Sequence, residues 1–200
     1  MARTRAGDFQ EKQRAILASA AAVLGECGMD KASMAQIAEK AQISKALLYH
    51  YYPGKDALIF DIIRTHLSEL DSAIEAADTP SLAPRERLRV LVHAVLENYR
   101  DADNEHRVQI NGTPTLAPEQ RAEIHAIERR IVRRFAAVLR QINPELGAGP
   151  LLMPVTMSLF GMMNWVYMWF REGGPITRAD YADLATDLVL HGLGGLSGRP

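Results

Sequence analysis

The stretch Ser33-Met34-Ala35-Gln36-Ile37-Ala38-Glu39-Lys40-Ala41-Gln42-Ile43-Ser44-Lys45-Ala46-Leu47-Leu48-Tyr49-His50-Tyr51-Tyr52-Pro53-Gly54 decides the fold. Ser33 followed three residues later by Gln36 is a capping box, in which the hydroxyl accepts from the helix backbone and the glutamine reaches back. Ile37, Ala38 and Ala41 give this short helix an inner face. Ser44 is the next N-cap. It opens Lys45–Tyr52, and Pro53-Gly54 ends that helix because proline cannot continue the hydrogen-bond ladder. Two short capped helices joined by a tight turn form a helix-turn-helix. The second presents Ser44, Lys45, Tyr49, His50 and Tyr51, side chains that donate to phosphates and base edges in a major groove. Leu47 and Leu48 are expected in the core, and at least one of Tyr49 and Tyr51, Tyr49 first, is expected both to pack inward and to face a partner.

Upstream, Ile16, Ala20, Val23, Leu24 and Cys27 recur at helical spacing, which predicts a helix over Asp8–Cys27 stopped by Gly28, with Cys27 a small core residue. Downstream, Leu58, Ile62, Ile63, His66, Leu67, Leu70 and Ile74 form the stripe of a long amphipathic helix over Lys55–Ala77. The segment 78–84 reads as a linker. Further helices are read at Pro84–Arg100, between Asp103 and Gly112, and at Pro118–Ile142, before Asn143-Pro144 and Gly147-Ala148-Gly149-Pro150 break the pattern. The fold class is therefore all-α. An N-terminal helix-turn-helix domain is expected over residues 1–54, and a second helical domain over 55–200.

Composition agrees with this reading. Of the 200 residues, 48% are hydrophobic and 24% charged, as in soluble globular chains. The single cysteine excludes an internal disulfide framework, and no apolar signal segment follows the N-terminal arginines, so a cytoplasmic protein is expected. The net charge is −1, but it is unevenly spread: residues 1–55 hold eight basic and five acidic side chains, and every lysine of the chain. A basic head on an acidic body suits a domain that faces phosphate.

The run from Ser33 through Lys55-Asp56-Ala57-Leu58 resembles the DNA-binding domain of the tetracycline-repressor (TetR) family over about fifty residues. The resemblance implies a recognition helix carrying Ser44, Lys45, Tyr49, His50 and Tyr51. It further implies that Lys55 holds a phosphate and that Ser33 meets the DNA backbone at a helix start. Arg3 and Arg5, on an N-terminal arm, would add minor-groove or phosphate contacts. The partners implied are an operator in double-stranded DNA, a small-molecule effector and a second copy of the chain. A twofold dimer sets two recognition helices one DNA turn, ~34 Å, apart on a pseudo-palindrome.

Leu151–Phe170 carries no charge and is long enough to span a membrane. Pro154, Thr156, Ser158, Gly161 and Asn164 argue against a span, so a helix buried all round is expected, with one core side and one subunit side. No membrane partner is expected. Thr177 and Asp180 cap a final helix reaching His191, whose Tyr181, Leu184, Leu188 and His191 are expected to pack beside the preceding helix. In the family resembled, these last two long helices make the dimer interface.

The segment Asn164-Trp165-Val166-Tyr167-Met168-Trp169-Phe170-Arg171, followed by Gly173-Gly174-Pro175, also resembles a subgroup of that family responding to acyl-coenzyme A thioesters. A thioester needs an apolar pocket for its acyl group and cations with a stacking surface for its nucleotide. Candidate effector residues are Phe160, Met163, Asn164, Trp165, Tyr167, Met168, Trp169 and Arg171. To these are added Arg133 and Arg134, and the polar Asn98, Tyr99, His106 and Gln109. Aryl thioesters such as phenylacetyl-CoA are the first expectation from the resemblance, and fatty acyl-CoA the next. The alternative is an efflux-gene repressor answering to lipophilic drugs.

An enzyme is not expected. The chain has no G-x-S-x-G elbow and no Gly-rich phosphate loop, and its six histidines include no i, i+4 pair. A small thioester hydrolase is the distant alternative. No metal site and no resident cofactor are expected.

Overall fold

The structure, a computed structural model, describes the backbone of residues 2–196 and the side chains of residues 9–193. Among the described residues there are eleven α-helices: α1 (Ala2–Cys27), α2 (Met34–Lys40), α3 (Lys45–Tyr51), α4 (Lys55–Ala77), α5 (Pro84–Asn98), α6 (Asp103–Gly112), α7 (Pro118–Ile142), α8 (Pro144–Ala148), α9 (Leu152–Asn164), α10 (Val166–Trp169) and α11 (Arg178–Gly192). Short 3-10 turns follow α6 and α11. No described helix is long and apolar enough to cross a membrane.

The described residues form two compact units, one of those up to 67 with 101–125, the other of 68–100 with those from 126 onward. This differs from the division expected after residue 54. The first part of α4 closes the core of the N-terminal unit, because its apolar stripe, Leu58, Ile59, Ile62, Ile63 and Leu67, is buried there. α6 also joins that unit. It packs on α1, and its Gly112 lies so near α4 that an added Cβ would sit 2.7 Å from Ile59 Cγ2.

In the first unit, α1 buries Ile16, Ala20, Val23 and Leu24. Cys27, expected in the core, is exposed. It is the last helical residue before Gly28, whose φ of +82° turns the chain away and leaves the sulfur outside. Both predicted caps form in the head: Ser33 Oγ accepts from Gln36 N at 3.3 Å, and Ser44 Oγ accepts from Leu47 N at 3.1 Å. Ile37, Ala38 and Leu48 fill the head's core.

In the second unit, α11 packs on α5 and α9. This unit departs from the sequence expectation at two helices. The uncharged stretch is not one helix buried all round. It breaks at Trp165 into α9 and α10, burying Leu159, Phe160, Met163 and Val166 and exposing Met153, Met157, Trp165 and Met168. In α11 the buried stripe is Arg178, Ala182, Ala185, Thr186 and Val189, while Leu184, Leu188 and His191 face outward and Tyr181 is half-buried. Small residues let α11 lie close to its neighbours, and the large leucines fall on the opposite side.

Candidate nucleic-acid interface and effector region

α3 owes its outward face to helical spacing. Leu48, fully buried, anchors the inner side, so Lys45, Ala46, Tyr49 and His50 point to solvent. Tyr49 is 49% exposed and does not pack inward as expected. Tyr51 is half-buried and stacks on the exposed Phe9 of α1, with centroids 4.9 Å apart and planes 18° from parallel, while the neighbouring Tyr52 is the buried ring. His50 meets the edge of Tyr51 at 6.0 Å. Ser33 and Ser44 stand exposed at the two helix starts, where backbone N–H groups and the helix dipole favour an anion. Lys55 is half-buried, its ammonium donating to the carbonyls of Met29 and Ala32. Its charge thus sits over the connection between α1 and α2. The side chains of Arg3 and Arg5 lie outside the described residues.

A polar network that the sequence reading missed braces this head. Tyr52 Oη donates to Asp61 Oδ2 at 2.6 Å, and Gln13 Nε2 donates to both, at 3.1 Å each. Arg64 pairs with the other carboxylate oxygen. Burial alone would raise the Asp61 pKa, but the Tyr52 and Arg64 bonds hold it below the ordinary carboxylate value. Burial and the Asp61 bond push the Tyr52 phenol upward. Only the spacing of Tyr52 before the proline hinted at a buried ring; its partners lie 9 and 39 residues away in sequence.

The expected effector residues divide between the units. In the second unit, Tyr99 is buried and its hydroxyl donates to Asn164 Oδ1 at 2.8 Å, which gives the asparagine of α9 the partner it requires. Burial, reinforced by the Glu128 charge, raises the Tyr99 pKa. Phe160 meets Phe135 of α7 edge-on at 5.0 Å, and Met163 is fully buried, so α9 places these apolar side chains in the core, with Asn164 following them on the same helix. Tyr167 is half-buried against Trp165 at 6.1 Å. Trp169 meets Tyr181 edge-on at 4.9 Å. Trp165 and Met168 face outward, and Arg171 is exposed. Arg134 lies 3.7 Å from both Asp71 and Asp78, whereas Arg133 is exposed. Asn98 is half-buried at the end of α5. His106 and Gln109 belong to the other unit, where His106 is buried 5.9 Å from His66. Burial, helped by the His106 charge, lowers His66 to about 4. No group of His, Cys, Asp and Glu able to hold a metal occurs among the described residues.

The second unit also holds a cleft of about 530 Å³ between α5 and the start of α11. His93, Glu97 and Arg100 line it from α5, and Glu172, Ile176 and Arg178 from the far side. None of the expected effector residues lines it.

Two family models match the chain. One, described as the tetracyclin repressor-like C-terminal domain, matches residues 81–193, and one described as bacterial regulatory proteins of the tetR family matches residues 16–62. The HTH-type transcriptional regulator BetI of Brucella anthropi is 36% identical over 81 residues, which is 40% of this chain and 42% of that protein. The match thus spans about two fifths of the length of that relative. A TetR-family transcriptional regulator from Bordetella parapertussis is 29% identical with a TM-score of 0.83, covering 92% of this chain and 96% of that one. AibR in complex with isovaleryl coenzyme A and operator DNA is 27% identical with a TM-score of 0.77, covering 88% of this chain and 97% of that one.

Proposed function

Because the chain belongs to the TetR family of bacterial regulatory proteins, we propose that it is a transcriptional repressor that binds a pseudo-palindromic operator as a homodimer and is released by an acyl-coenzyme A thioester. The observation that carries the DNA-binding half is the face of α3: Lys45, Tyr49 and His50 point outward from a helix anchored by Leu48. A donor-rich face on a short capped helix suits a major groove. The family is one of DNA-binding regulators rather than enzymes.

Support for the dimer comes from apolar side chains left outside on two helices that pack together, Met153 and Met157 on α9 and Leu184 and Leu188 on α11. Exposed apolar strips of this kind mark association surfaces. Support for the thioester comes from the similarity to AibR, whose solved complex holds isovaleryl coenzyme A and operator DNA. It also comes from the buried apolar side chains Phe135, Phe160 and Met163, with the Tyr99–Asn164 pair at the end of α9. α4 contributes to both compact units, so a thioester that favours one arrangement of the second unit would act on the head through this one continuous helix.

The test has two steps. The melting temperature is measured with isovaleryl-CoA and phenylacetyl-CoA, their free acids, coenzyme A and a panel of lipophilic drugs. A ligand present at 100 times its Kd stabilises the folded state by about 2.7 kcal/mol. A thioester that raises the melting temperature, with its free acid inert, is then added to the protein bound to a DNA sequence selected from a random pool. Release of that DNA supports the reading. Selective stabilisation without release refutes the mechanism, and a response to drugs alone replaces the effector class.

A further inference from the structure

We propose that the cleft between α5 and the start of α11 is a second ligand site, which takes a small monocarboxylic acid with an apolar body. The proposal is independent of the acyl-coenzyme A reading, because the residues assigned to that effector lie elsewhere.

The Arg178 side chain is only 6% exposed, lines the cleft and lies over the Phe170 ring at 4.8 Å. Nε donates to Glu172 Oε1, yet Nη1 is buried with no hydrogen-bond partner. A buried guanidinium donor left unmatched is costly, and its usual complement is a planar carboxylate. The second feature is the start of the 15-residue helix α11, whose first residues Arg178 and Ala179 line the same cleft. The Thr177 N–H is taken by Asp180 and the Asp180 N–H by Thr177 Oγ1. The first-turn N–H groups of Arg178 and Ala179 have no partner within the helix. The start of α11 and the buried Arg178 thus line one volume.

The remaining lining sets the ligand class. Ala77, Val90, Ala94 and Ile176 make an apolar half suited to an alkyl or aryl body. Two carboxylates already stand at the rim. Glu97 is held in a forked pair with Arg100, both bonds 2.8 Å, and Glu172 bridges Arg178 and Arg100, the latter at 3.7 Å. A dianionic phosphate would meet both negative charges, whereas a single carboxylate can take the place of Glu172 on Arg178. The Glu172 side chain is half exposed and sits on the loop before α11, so it can swing to solvent when a ligand arrives. Glu172 is in this sense a stand-in for the ligand.

The experiment is calorimetric titration of the full chain with sodium hexanoate, sodium phenylacetate, hexanamide and inorganic phosphate. Expected is saturable binding of one or both carboxylates, with the amide and phosphate at least tenfold weaker. Arg178→Gln should weaken the carboxylate at least tenfold. Glu172→Gln should strengthen it several-fold, an effect that a purely structural ion pair would not produce. Ala94→Trp, which fills the apolar half and leaves the arginine in place, should abolish binding and serves should Arg178→Gln not fold. Equal binding of acid and amide, no binding of either acid, or weaker binding by Glu172→Gln overturns the proposal. None of these outcomes bears on release of DNA by a thioester.

Discussion

At the scale of single residues, the side chains of the head separate cleanly into those that face outward and those that hold the fold. Tyr49 is half exposed on α3, so Tyr49→Ala should weaken binding to a selected operator about tenfold, near 1.4 kcal/mol, with the melting temperature unchanged. Loss of both together would assign Tyr49 to the core. Tyr52 is the opposite case. Its hydroxyl donates inside the head to Asp61, so Tyr52→Phe should lower stability by about 1 kcal/mol in denaturant titration, and an unchanged midpoint would refute the network's importance. His66 offers a pH test. Its pKa is held down to about 4 by burial and by His106, against an ordinary 6.5. The unfolded chain therefore gains this proton at higher pH than the folded one. Stability from this group is full above about 6.5 and declines as pH falls toward 4, by at most about 1.4 kcal/mol per pH unit. Between pH 6.5 and 5 the depressed carboxylates stay ionised, so a fall in melting temperature there should vanish in His66→Leu. A slope that persists would rule His66 out as its source.

At the scale of elements, what was legible in the sequence was what depends on neighbours three or four residues away. The capping boxes at Ser33/Gln36 and Thr177/Asp180 both form, as does the Ser44 cap. Thr177→Ala should remove about 1 kcal/mol of stability. The stripe of α4 was readable because one face carries nearly all its large apolar residues. Where both faces are apolar the pattern is silent. The uncharged stretch from Leu151 and the leucines of α11 gave no local sign of which side is buried, because that is decided by what the helix meets. The same limit hid the partners of Tyr52 and the donors around the α11 cleft. The turn between α2 and α3 hides one more feature, Gln42 at a φ of +54°, a region that favours glycine. Gln42→Gly should therefore raise stability, by up to about 1 kcal/mol, and a lower melting temperature would show that the glutamine side chain compensates.

At the scale of the whole molecule, the all-helical class followed from composition and spacing, while the division into units did not. The helix-turn-helix motif ends at Pro53-Gly54, which sets the expected boundary. Yet α6, some fifty residues further on, packs on α1, and no local pattern announces a contact at that distance. The outward apolar side chains of α9 and α11 belong to this scale as well. Leu188 is 57% exposed and Met157 51% exposed, so neither supports its own subunit's core. Leu188→Glu should leave the monomer folded, as judged by helical circular dichroism, and shift its sedimentation to that of a single chain. A variant that still sediments as a dimer would move the interface elsewhere.

That strip also bears on gene dosage. If only the paired form grips both halves of an operator, occupancy below the pairing constant rises with the square of the chain's abundance rather than in proportion to it. A twofold dilution of the pool by growth without new synthesis would then thin the competent species fourfold, so that apolar side chains nowhere near the DNA would set how sharply the controlled genes respond to the regulator's own supply.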